Sequence, residues 1–155
     1  MSLNFPPLTL QTRNSEEGLL VFDPIRKKYF RMTPEEEVRQ SIIQMLVLYL
    51  SVPAGLIAVE RQIYYGKLKK RPDLVVFSQA SQPLMIIECK APEINVTEFV
   101  SHQISTYNKI LSAPFLLISN GLKHYCYRYY KNEMKYKLDP AIPDFIEMNS
   151  WANRE

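Results

Sequence analysis

Two short apolar runs set back to back constrain this chain most. Leu74-Val75-Val76-Phe77 and Leu84-Met85-Ile86-Ile87 are joined by Ser78-Gln79-Ala80-Ser81-Gln82-Pro83, a polar, turn-prone stretch. Such runs bounded by turn formers read as two strands of a hairpin. Charged residues sit at their far ends. Arg71-Pro72-Asp73 leads into the first run, and Glu88-Cys89-Lys90 closes the second. A hairpin centred between Ala80 and Ser81 pairs Ser78 with Pro83 and Asp73 with Glu88. Strand side chains alternate between faces, so Glu88 and Lys90 share one face and Cys89 points to the other. Directly opposed residues hold their Cβ atoms roughly 4.5–5.5 Å apart. Two carboxylates that close repel each other unless a cation lies between them. Mg²⁺ takes one or two carboxylates together with waters and phosphate oxygens.

The rest of the chain supplies a setting for this hairpin. Leu19 to Phe22 and Ile25 to Phe30 predict an earlier hairpin about Asp23-Pro24, a turn dipeptide. Thr33-Pro34 then reads as a helix start, with threonine as N-cap, proline in the first turn and three glutamates at the positive end of the dipole. Val38, Ile42, Met45, Leu46 and Tyr49 recur at helical spacing, and the helix is expected to end before Pro53. Leu56 to Tyr65 reads as a strand. Thr97 to Leu111 reads as a second helix, with Phe99, Val100, Ile104, Tyr107 and Leu111 as its apolar set. Phe115 to Ile118 is continuously apolar, as a strand buried on both faces would be. Asn120-Gly121 turns the chain into a last strand, His124 to Tyr130. The expected order is helix, three strands, helix, strand, strand. Residues 1–18 read as an N-terminal arm, 19–130 as the core, and 131–155, with the single tryptophan Trp151, as an irregular tail.

P-D followed by E-x-K, with Thr33-Pro34-Glu35-Glu36-Glu37-Val38-Arg39-Gln40 before it and Gln103-Ile104-Ser105-Thr106-Tyr107 and Ile118-Ser119-Asn120-Gly121 after it, resembles the PD-(D/E)xK nuclease superfamily. Within that superfamily it resembles the N-terminal nuclease domain of type I restriction enzyme R subunits, in a stand-alone form, over about Phe22 to Tyr130. The resemblance implies an α/β restriction-endonuclease-like fold, an αβββαβ core with a mixed sheet flanked by helices. It also implies a Mg²⁺-dependent DNA endonuclease, with Mn²⁺ as substitute metal. Asp73, Glu88 and the Cys89 backbone carbonyl would ligate the metal, and Lys90 would act on the attacking water and the charge building on the phosphate. Glu36 would help complete the site and Gln103 would reach it. Tyr107, four residues on and so on the same helix face, would meet the nucleic-acid backbone.

Each of these residues also has a plainer reading. Asp73 suits a turn, and Lys90 suits a solvated strand end. Thr33-x-x-Glu36 is a capping box that needs no catalysis. Gln103 and Tyr107 are a polar neighbour and a core tyrosine. Lys67, Lys69, Lys70 and Arg71 form a basic stretch that is either a solvated face or, beside Asp73, a contact for DNA phosphates. Tyr125, Tyr127, Tyr129 and Tyr130 read as sheet packing, and His102 and His124 are too isolated to be ligands.

The 155 residues suit one domain with a sizeable core. A formal charge of +3 permits a polyanionic partner without demanding one. Two cysteines make no disulfide framework. The amino terminus lacks a signal-peptide pattern, and the apolar stretch Ile42 to Leu50 is too short to span a bilayer. A cytoplasmic protein without membrane contact is the expectation. No glycine-rich phosphate loop is present, so the chain carries no DNA-translocating motor of its own. The rival reading is a catalytically silent module that uses the same fold to bind nucleic acid or protein. An RNA-directed nuclease is a third reading. A homodimer or a recruiting protein partner is compatible with any of them.

Overall fold

In the computed structural model, residues 2–154 are described, apart from 66, 101, 103–105 and 107–112. A three-stranded antiparallel sheet comes first. It contains β1 (Thr12–Ser15), β2 (Gly18–Asp23) and β3 (Lys28–Arg31). The expected arm at 1–18 therefore carries a strand. Its four residues are all exposed, so no apolar alternation announced it. The same arm packs Leu3 and Phe5 against the core, and Asn4 donates its amide to the Gly121 carbonyl. The expected strand from Ile25 starts later, at Lys28, because Pro24 to Lys27 form the turn.

Helix α1 (Pro34–Leu48) starts where the local chemistry places it. Thr33 Oγ1 accepts the Glu36 amide at 3.1 Å, and Pro34 fills the first turn. Val38, Ile42, Met45 and Leu46 are buried. Tyr49, expected on that stripe, caps the helix instead and is largely exposed, with its hydroxyl on the Pro7 carbonyl. The strand expected over Leu56 to Tyr65 is broken in two. β4 (Ile57–Val59) pairs with the main sheet, and β5 (Ile63–Tyr65) pairs only with β6 (Leu68–Lys70) in a separate two-stranded ribbon. The break falls at Glu60, which takes a left-handed φ of 51° that no strand accommodates.

The main sheet has six strands in a mixed arrangement. β7 (Leu74–Phe77) and β8 (Pro83–Cys89) form the expected hairpin, followed by β9 (Phe115–Ser119), β10 (His124–Tyr130) and β11 (Lys135–Asp139). The order is β11-β10-β9-β8-β7-β4, and the central pair β8–β9 is parallel. Its crossover includes helical residues 96–100, which begin the helix expected from Thr97. The turn at Asn120-Gly121 stands as expected. Gly121 has φ +83°, and a Cβ there would meet Leu3 and Val38 side chains at 2.9 Å. Residues 131–155 are not an irregular tail. They add the edge strand β11 and helix α2 (Phe145–Ala152), capped by Asp144, whose carboxylate accepts the Glu147 amide.

Each face of the sheet is covered. Phe115 and Leu117 join Val38, Ile42, Leu46 and Met148 in one cluster, under α1 and α2. Leu116 and Ile118 join Ile86 and Val96 in a second, on the side of residues 96–100. The period-two alternation along β9 thus feeds two cores, which explains its unbroken apolar run. Tyr125 and Tyr127 pack on the second cluster, and Trp151 meets Tyr130 edge-on at 5.1 Å, as sheet packing requires. This is the restriction-endonuclease-like α/β fold, a mixed sheet flanked by helices.

Candidate functional site

The hairpin register sets the position of the two acids. Leu74 pairs with Ile87, Val75 with Ile86 and Val76 with Met85. Asp73 and Glu88 are the next residues outward, the juxtaposition expected from the sequence. At the opposite end the register slips. A bulge between Val76 and Phe77 pairs Phe77 with Pro83, so the expected Ser78–Pro83 pair does not form. The Ser78 amide instead donates to the Gln82 carbonyl at 2.8 Å, in a turn where Ser81 has φ 61°.

Asp73 is half-buried and held on both oxygens. Its Oδ2 accepts the Cys89 amide at 2.8 Å, which ties it across the hairpin to β8. Its Oδ1 accepts from Arg39 Nη2 at 2.7 Å. Arg39 Nη1 reaches Glu36 Oε2 at 2.5 Å, so one guanidinium bridges two of the expected site acids. Glu36 therefore does more than begin a helix. Its amide completes the threonine cap, while its carboxylate is occupied by Arg39, by Arg26 Nη2 at 2.8 Å and by Gln40 Nε2 at 3.0 Å. The reciprocal half of a capping box is not made, because the Thr33 amide bonds the Arg31 carbonyl.

Behind Glu36 lies Asp23, wholly buried at 0% exposure. Its Oδ1 accepts the amides of Ile25 and Arg26, and its Oδ2 accepts from Arg26 Nε at 2.6 Å and Gln40 Nε2 at 2.9 Å. Burial by itself would raise its pKa. The Arg26 amide and side chain, Gln40 and the Ile25 amide outweigh that and hold the carboxyl below its ordinary value. The β2–β3 turn, α1 and the Asp73 corner are thus joined by one polar network. Glu60 and Glu35 stand at its rim. Glu60 lies 3.7 Å from both Arg26 and Arg39, and Glu35 lies 3.7 Å from Arg39.

Two guanidiniums therefore serve five carboxylates, and the cluster carries surplus negative charge. Burial opposes the charge on Arg39, but the bond to Asp73 and the attraction of Glu36 and Asp73 raise its pKa above the ordinary arginine value. Its Nε–H is buried without a partner. An orphaned buried donor costs about 1–3 kcal/mol.

Arg39, Gln40, Arg26, Asp23 and Glu60 were not among the expected site residues. The first two left a signal. They interrupt the apolar stretch between Val38 and Ile42, and both are buried. Asp23 read as a turn former, which it also is.

The remaining expected residues are distributed around this corner. Glu88 is half-buried at the end of β8. Lys90 is half-buried too. Its amide donates to the Ser119 carbonyl at 2.8 Å, and its ammonium lies 5.1 Å from the Phe99 ring centroid. Cys89 is buried, and burial pushes its thiol far above the usual range, so the side chain is inert. Lys67 and Lys69 are exposed on the β5–β6 ribbon, Lys70 is half-buried there, and exposed Arg71 leads into Asp73. Gln103 and Tyr107 lie outside the described residues.

Among the described residues, no three His, Cys, Asp or Glu side chains are grouped to hold a metal ion. The donor chemistry nonetheless suits one. The oxygens are hard, and they outnumber the cations beside them.

The family described as Type I restriction enzyme R protein N terminus (HSDR_N) matches residues 34–143. The chain belongs to this family. The match takes in the helix carrying Glu36 and Arg39, the hairpin and the strands through β11. Among solved structures, this HSDR_N chain resembles a fragment of a proposed HsdR subunit of a type I restriction enzyme from Vibrio vulnificus YJ016. The TM-score is 0.53 at 17% identity, over 77% of this chain and 25% of that one. The chain thus spans about a quarter of that structure's length, and the likeness speaks to the fold. A proposed DUF820 nuclease from Anabaena variabilis ATCC 29413 aligns at a TM-score of 0.46 and 14% identity, over 96% of this chain and 94% of that one. A comparison with curated proteins found no significant match. Among the described residues, no helix is long and apolar enough to cross a membrane.

Proposed function

We propose that this HSDR_N chain is a Mg²⁺-dependent endonuclease that hydrolyses phosphodiester bonds in DNA. The observation that carries the proposal is the hairpin register ending on Leu74 and Ile87, with Asp73 and Glu88 next outward and Lys90 beyond. Asp73, Glu88 and the Cys89 carbonyl would hold the metal. When bound, it lowers the pKa of water and polarises the scissile phosphate. Lys90 orients the attacking water and steadies the charge that builds on the phosphate. Lys67, Lys69, Lys70 and Arg71 contact DNA phosphates on the approach to Asp73. The chain works in the cytoplasm, as a homodimer or recruited by a partner that brings it to DNA.

One observation favours a second reading, a silent module that only binds nucleic acid or protein. Both Asp73 oxygens are engaged by protein groups. Nicking assays on supercoiled, linear and branched DNA in Mg²⁺, with RNA as a control, separate the two. Cleavage by wild type, lost in both Asp73→Asn and Glu88→Gln, supports the nuclease. Binding without cleavage of any substrate gives the silent module.

A further inference from the structure

We infer that Arg39 is a latch on this site, a resident cation that must leave Asp73 before a divalent metal binds there. The inference rests on the nuclease reading and concerns its regulation. The Arg39 guanidinium spans Glu36 Oε2 at 2.5 Å and Asp73 Oδ1 at 2.7 Å. A metal drawing on Asp73 Oδ1 and the guanidinium beside it compete for one carboxylate, and two adjacent cations repel. Arg39 is 94% buried, from its 6% exposure, so the competition takes place where water screens it poorly.

Two features make departure from Asp73 feasible. The first is the orphaned Nε–H. The closed arrangement leaves the Nε–H unpaired in a dry setting, so a shifted guanidinium has a hydrogen bond to gain. The second is a waiting acceptor. Glu60 Oε1 lies 3.7 Å from the same Nη2 that now holds Asp73, with Glu35 at the same distance. Glu60 is also the residue in the left-handed backbone region at the end of β4, and its amide bonds the Asp73 carbonyl at 3.0 Å. Strained backbone at such a corner persists only where its surroundings impose it. Its place beside Asp73 gives Arg39 an alternative partner without leaving the cluster.

The test is Mn²⁺ binding by calorimetry on wild type, Arg39→Gln, Arg39→Lys, Glu60→Gln and the Arg39→Gln/Glu60→Gln double variant, with melting temperature as a second readout. Arg39→Gln is expected to bind Mn²⁺ at least about tenfold more tightly, because it removes the competing charge. It is also expected to melt lower than wild type without metal and to regain most of the difference with Mn²⁺. Arg39→Lys keeps the charge but cannot bridge two carboxylates as a planar fork does, so it falls between. Glu60→Gln removes one of the two carboxylates within reach of Nη2 and weakens Mn²⁺ binding. In the Arg39→Gln background the same change has little effect, which separates a route through Arg39 from a simple loss of negative charge. Equal Mn²⁺ affinity in wild type and both Arg39 variants overturns the latch, and wild-type cleavage would then leave the nuclease reading standing alone. Absence of Mn²⁺ binding in every variant removes the latch and the metal site together. Should Arg39→Gln fail to fold even with Mn²⁺, Arg39→Lys and Glu60→Gln decide through their opposite expected shifts.

Discussion

Arg39, buried, and Arg128, half-buried, each grip two carboxylates, yet their surroundings differ. Arg128 Nε donates to Asp139 at 2.9 Å and Nη2 to Glu147 at 2.5 Å, and its guanidinium lies over the Phe115 and Trp151 rings at 5.2 and 4.5 Å. It joins β10, β11 and α2, its Nε is satisfied, and apolar rings cover it. Arg39 has unequal company. It and Arg26 face a surplus of acids, its Nε–H has no partner, and Glu60 waits within reach. The same ion-pair chemistry is a finished joint in one place and an unsaturated one in the other. An ion pair therefore points to function through what it leaves unpaired more than through its distance.

The widest gap between the two regions should appear in turnover. Lys90→Ala, at the Asp73 corner, is expected to lose about 10²–10⁴-fold in Mg²⁺-dependent cleavage, the usual range for a group that handles the proton in the transition state. Its melting temperature should stay near wild type, because a half-exposed strand end contributes little to the core. Equal cleavage by wild type and Lys90→Ala would take this corner out of the catalytic account.

Next in size is the stability held by Asp23. Removing one partner from a buried charged network costs about 3–5 kcal/mol, so Asp23→Ala should show a loss of that order in denaturant titration. The pH dependence is specific as well. Asp23 titrates below its ordinary value when folded, so its contribution is complete above about pH 4 and disappears as pH falls through the folded value. Asp23→Asn should lose stability less steeply than wild type as pH falls below about 4. Identical acid limbs would mean that other carboxylates govern acid unfolding.

Arg128→Met is expected to cost less, about 1.5–3 kcal/mol for hydrogen bonds to charged partners, because half-exposed Glu147 returns to water. It should leave Mn²⁺ affinity at the wild-type value, and a changed affinity would erase the distinction between the two arginines. The smallest effect belongs to the basic ribbon. Lys69→Gln with Lys70→Gln should lower the slope of log affinity for DNA against log salt by about one for each phosphate no longer neutralised. An unchanged slope would make these lysines a solvated surface.

What local chemistry governs could be read along the chain. The start of α1 follows from Thr33, Pro34 and the Glu36 amide, all within one turn. The rungs from Leu74 to Val76 follow from a short turn between two apolar runs, since hairpin register is a near-neighbour property. β9 was legible because burial on both faces leaves a continuous apolar run. β1 and β11 were not, because strands at sheet edges with mostly exposed side chains carry no apolar alternation. The split of Leu56 to Tyr65 hinges on a backbone turn at Glu60, a residue with no special preference for it.

The site divides along the same line. Asp73, Glu88 and Lys90 could be placed together because the hairpin places them. The grip of Arg39 on Asp73, across 34 positions of sequence, and that of Gln40 on Asp23, across 17, could not. Those bonds exist because α1 lies against the sheet and the β2–β3 turn folds onto α1. An arginine in a sequence shows its charge. Which carboxylate it meets, and which of its N–H groups stays unpaired, is settled by packing among elements far apart in the chain.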